Sequence, residues 1–201
     1  MDVDAYLESL ASKGADRCKV KGWIVRASLR GLRLARALPE SVALQLDPLP
    51  VASSWVSLSA YHAALLYVAE RRAPTTTQFM RWYGRIVGGA ACLPNAGPFF
   101  QLSTGHQFLE RLPVGWAQMF MGATFTVDFA ERRRARIILA YPANVFPVLL
   151  AESYSAWVCA GLRCSGATDV EVTVADVTDR RAMYEACWNQ QHGIWSAAPQ
   201  S

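Results

Sequence analysis

At Gly122 the apolar pattern of this chain changes period. Before it, apolar residues recur every three or four positions. After it, Phe125, Val127 and Phe129 alternate with Thr124, Thr126 and Asp128. The first spacing gives helices one buried face, and the second gives strands one buried face. Helices therefore come first and the sheet last.

The C-terminal part reads strand, strand, helix, strand, strand. Phe125 to Phe129 pairs through the turn Glu131-Arg132-Arg133 with a returning strand from Arg134 to Tyr141. A long apolar helix from Phe146 to Cys164 follows, ending at Ser165-Gly166. Asp169 to Val177 alternates again. Thr178-Asp179-Arg180 turns into a last strand from Ala182 to Trp188. This β-β-α-β-β unit predicts an antiparallel four-stranded sheet, with the N-terminal helices packed on it, in an α+β fold.

In the N-terminal part, residues 2–12 read as a short helix and Trp23 to Leu38 as a longer one, stopped by Pro39. Prolines at 39, 48 and 50 predict a loop from Pro39 to Ser54. A helix capped at Ser53 or Ser54 then runs to about Arg72. Thr75 and Gln78 form a capping box opening a helix that stops at Gly88-Gly89. Phe99 to Leu112 reads as a helix broken by Pro113, with another helical stretch from Gly115 to Met121.

At 201 residues the whole chain (1–201) fits one domain, with ends expected to fray at about 1–12 and 190–201. Its 52% hydrophobic content suffices for a full core. The five cysteines form no C-x-x-C pair and predict no disulfide framework. No basic, then apolar, leader opens the chain and no stretch is long and apolar enough to span a membrane. The expected setting is the cytoplasm.

Three features carry a resemblance: Val20 to Leu29 (VKGWIVRASL), Leu112 to Trp116 (LPVGW), and a C-terminal unit running from Gly161 to Ala167 through Val170-Glu171-Val172 to Tyr184 and Trp188. Together they resemble a myxobacterial family of unknown function and, more remotely, the haem–nitric-oxide-binding and vinyl-reductase-type sensor domains. The resemblance spans roughly residues 18 to 190. It implies a ligand-sensing or regulatory scaffold, not a catalyst.

The resemblance places His106 where the haem-binding relatives hold their iron. The propionate motif of those relatives, Tyr-x-Ser-x-Arg, is met here only by Tyr141 in Tyr141-Pro142-Ala143-Asn144-Val145. For the zinc of the effector-binding relatives the chain offers Cys159, Cys164 and Cys187 with Glu171 and Glu185. Cys159 and Cys164, five apart on a helix, do not share a side. The expectation is no cofactor, with haem and zinc both set aside.

Two other site classes rest on the residues themselves. Phe100, Phe108, Trp116, Phe120, Tyr154 and Trp157 fall where helices should cover the sheet. They are the candidate lining for a hydrophobic small molecule, and core packing or self-association is the competing use of the same rings. The net charge of +4 is carried almost wholly by arginine. Arg26, Arg30, Arg33 and Arg36 recur at helical spacing as a candidate ridge for an acidic partner, joined by Arg71, Arg72, Arg81 or Arg85. Nucleic acid is not expected, since no helix-turn-helix or basic tail accompanies them. No catalytic constellation stands out. The weak acid–base candidates are His106, Glu110 and Tyr141, which would have to converge in a pocket. The expected role is a non-catalytic regulatory or sensor domain, working as a homodimer. An interaction adaptor using the arginine ridge, or an enzyme for an apolar substrate, are the alternatives.

Overall fold

The two apolar periods fold into two layers. A computed structural model describes residues 3–10, 17–30, 38–73, 75–91 and 104–190 of the protein. The four long strands are β4 (Thr124–Glu131), β5 (Arg134–Ala140), β6 (Ala167–Val177) and β7 (Arg181–Gln190). They form an antiparallel sheet in the order β4-β5-β7-β6. The register sets Phe125 opposite Leu139 and Ile137 opposite Tyr184, so one face collects the buried residues. The β-β-α-β-β unit is as the alternation predicts.

The helices cover that face. They are α1 (Val3–Leu10), α2 (Gly22–Leu29), α3 (Glu40–Leu46), α4 (Leu58–Arg72), α5 (Thr76–Ala91), α6 (Gly105–Met119), α7 (Val148–Ser153) and α8 (Ser155–Cys164). Helix α6 packs on β4 and α8 on β6, with α5 behind α8, α2 against α5, and α1 and α3 against α4. The capping box at the head of α5 is formed. The Gln78 amide donates to the Thr75 hydroxyl at 3.2 Å, and the Thr75 amide donates to the Gln78 side-chain oxygen at 3.3 Å.

Several boundaries differ from the expectations. Helix α2 ends at Leu29, and residues 31–37 lie outside the described residues. The Pro39–Ser54 loop contains helix α3, whose Val42, Ala43 and Leu46 are buried. Three short strands, β1 (Lys19–Lys21), β2 (Trp55–Ser57) and β3 (Phe120–Met121), make a second sheet in the order β2-β1-β3. Two or three residues are too few to show a period of two, so no alternation announced them. Ser57, not Ser53 or Ser54, caps α4, accepting from the Ala60 amide at 3.4 Å.

Pro113 does not break α6. Phe108, Leu109, Leu112 and Trp116 all face the core, and that burial outweighs one missing amide bond. The single helix expected over Phe146–Cys164 is divided at Tyr154 into α7 and α8. The frayed N-terminus is in fact docked over residues 3–10, where Tyr6 is fully buried and donates to the Val145 carbonyl at 2.7 Å. Of the C-terminal end expected to fray, Gln190 closes β7 and residues 191–201 lie outside the described residues.

Candidate functional site

The junction of α6, β3 and α8 gathers the aromatic set. Phe108 and Trp116 share the inward stripe of α6, Phe120 opens β3, Tyr154 sits between α7 and α8, and Trp157 lies one turn further on. All five are buried, Trp157 the least so at 3% exposure. Trp116 stacks on Phe120 with centroids 3.7 Å apart. Tyr154 meets both rings edge-on at 5.4 and 5.7 Å. The phenyl ring of Phe108 lies so close to Gly161 of α8 that a side chain there would overlap it. The rings fill one another's space. Phe100 lies outside the described residues.

The polar edges of these rings are matched. The Trp116 indole donates to the Ala123 carbonyl at 3.0 Å, and the Trp157 indole donates to the Tyr83 hydroxyl at 2.9 Å. Burial raises the Tyr83 phenol to about 12.

Beside Tyr154 lies a histidine to which the sequence assigned no role. His62 on α4 is fully buried. Its Nδ1 lies 3.0 Å from the Val145 carbonyl and its Nε2 3.1 Å from the Tyr154 hydroxyl. A carbonyl only accepts, so Nδ1 carries the proton and Nε2 accepts from Tyr154. Burial lowers the imidazole to about 4, which keeps it neutral. Tyr6 donates to the same carbonyl, so one node ties α1, α4, the Val145 segment and the α7–α8 junction together. The sequence signal was a histidine inside an otherwise apolar helix.

The acid–base candidates do not converge. His106 and Glu110 pair at 3.4 Å on the outer side of α6, with side chains 45% and 55% exposed. The His106 ring lies tilted against Phe129, with centroids 4.2 Å apart. That places it near the β4–β5 turn. Tyr141 follows the opposite end of β5. Its hydroxyl donates to the Thr178 carbonyl at 3.0 Å, and burial raises it to about 12. Seven residues of strand, roughly 20 Å, separate the two ends.

The cysteines are also dispersed. Cys159 and Cys164 lie on α8, while the Cys187 thiol faces Glu171 across β7 and β6 at 3.9 Å. Among the described residues no three histidine, cysteine or acidic side chains gather as metal ligands. Arg26 and Arg30 stand exposed on the last turn and cap of α2. Arg33 and Arg36 lie outside the described residues.

No protein-family model and no curated protein matches this chain. Solved structures do. An H-NOX structure determined to probe haem distortion in that family aligns with TM-score 0.57 and 11% identity, over 90% of this chain and 97% of its own. The Fe(II) unliganded H-NOX protein of K. algicida aligns with TM-score 0.57 and 8% identity, over 86% and 98%. An oxygen-binding H-NOX domain related to soluble guanylate cyclases aligns with TM-score 0.56 and 9% identity, over 89% and 96%. At such identities the likeness is one of fold, and it bears out the remote resemblance to H-NOX domains.

These neighbours correct one expectation. Setting haem aside, and with it any cofactor, conflicts with a fold whose solved examples are described as haem and Fe(II) proteins. The residues of this chain nonetheless do not fit the group in the arrangement described. His106 pairs at the surface. Tyr141 has its hydroxyl on Thr178. Ala143 and Val145 bring neither hydroxyl nor guanidinium, and Trp116, Phe120 and Tyr154 fill the space between helices and sheet.

Proposed function

We propose that this chain is a non-catalytic regulatory or sensor domain that acts through what it binds, a hydrophobic small molecule or a protein partner. The observation that carries the reading is the separation of His106 and Glu110 from Tyr141 by the length of β5. The His106–Glu110 pair stands half-exposed on the outer side of α6 and Tyr141 lies a strand's length from it, so the three candidates share no pocket. The likeness of the fold to an oxygen-binding H-NOX domain supports the same reading. Homodimeric assembly and a cytoplasmic setting belong to the proposal; no helix among the described residues is long and apolar enough to cross a membrane.

The test is a native mass spectrum of the full chain as purified, with an absorbance spectrum of the same sample. A dimer carrying an added small-molecule mass supports the reading, and a Soret band would identify that mass as haem. A bare monomer with only protein absorbance would overturn it. The adaptor reading, in which exposed Arg26 and Arg30 dock an acidic partner, would then take its place.

A further inference from the structure

We propose that the groove between α2 and α5 is a nucleotide site, with Trp23 stacking on the base and Arg26, Arg30 and Arg85 holding the phosphates. The groove is open to solvent and offers about 420 Å³, within the ~300–1,000 Å³ of small-molecule sites. Its floor and walls are Ala27, Ile86 and Gly89 with Trp23 beside them, and no acidic side chain among the described residues lines it.

The groove has a fixed wall. The Gly22 and Trp23 amides donate to the Ser54 and Ala52 carbonyls at 2.9 and 3.0 Å. Any side chain at Gly22 would overlap the Val51 carbonyl, so the 49–54 segment lies directly against the start of α2. The Arg26 guanidinium is held to that wall by the Leu49 and Pro50 carbonyls, each at 3.4 Å. Carbonyls orient a guanidinium without neutralising it. Arg30 and Arg85 have no acidic partner among the described residues.

The segments that follow these two helices in sequence carry no acid either. Residues 31–37, which follow α2, and residues 92–103, which follow α5, contain no aspartate or glutamate. Three guanidiniums in one groove repel each other, and an external anion relieves that repulsion. Guanidiniums match phosphate oxygens in bidentate pairs. The half-buried indole of Trp23 lines the groove beside them, and an indole is a ring on which bases stack, worth ~1–3 kcal/mol in comparable sites. A ligand with a flat ring at one end and phosphates at the other meets both demands.

This inference does not depend on the ring cluster, and its test uses added ligand, not co-purifying mass. Titration calorimetry of the full chain is run with ATP and GTP, and with adenosine and inorganic triphosphate as separated halves. The expected result is micromolar binding of a nucleotide, weakened by added salt, with each half at least about tenfold weaker. Arg30→Glu and Arg85→Glu each weaken it at least about tenfold. Gly89→Leu abolishes it by filling the floor. The space at Gly89 is open, so that variant keeps its fold, which its melting curve verifies. No nucleotide binding at millimolar concentration, equal binding of triphosphate alone, or variants that bind as the parent does would each overturn the proposal.

Discussion

The Tyr154 hydroxyl donates to His62 Nε2 across 3.1 Å, joining α4 to the α7–α8 junction inside the core. Tyr154→Phe removes that donor and leaves a buried nitrogen unmatched. The expected cost is about 1–3 kcal/mol, read as a lowered urea midpoint with an unchanged slope.

His62 also makes stability depend on pH. Its ordinary value of 6.5 falls to about 4 in the folded protein because burial penalises the charged ring. Between those values the unfolded chain takes up a proton that the folded chain excludes. Stability therefore rises with pH across that window and is lost as pH falls from 6.5 towards 4, by roughly 3 kcal/mol in all. His62→Gln, which carries a neutral amide, should flatten urea midpoints between pH 4 and 6.5; an unchanged slope would count against His62 as the titrating group.

Gly161 admits the Phe108 ring against the backbone of α8. Gly161→Ala should cost about 1–3 kcal/mol from overpacking, less the helix gain of ~1 kcal/mol for alanine. Pairing it with Phe108→Leu should recover part of the loss. Equal losses in the single and double variants would refute the contact.

Pro113 lies inside α6 without an amide to donate. Pro113→Ala should restore one helical bond and raise stability by about 1 kcal/mol, seen as a higher melting temperature with the same circular dichroism. A lower melting temperature would mean that the proline ring packs usefully where it stands.

Much of this architecture was legible locally. The alternation after Gly122 specified the β4–β5 hairpin and the β6–β7 pair, because a half-buried strand must repeat every second residue. Thr75 and Gln78 specified the start of α5, since their bonds span only three residues. The short strands β1, β2 and β3 were not legible, because their partners are distant in sequence and their own length carries no period. Helix α3 was hidden by the prolines on either side of it, which mark boundaries whether or not a helix lies between them.

The sequence by itself determined which residues are apolar, which are charged, and where the period changes; these are properties of neighbours along the chain. Only the tertiary structure decided what each group faces. It sent Trp116, Phe120 and Tyr154 into one another and set His62 against Tyr154 and Phe146. It parted His106 from Tyr141, and it turned Trp23, Arg26, Arg30 and Arg85 towards a common groove. Burial, proton affinity and the convergence of charges depend on contacts between segments tens of residues apart, and these exist only once the helices have closed over the sheet.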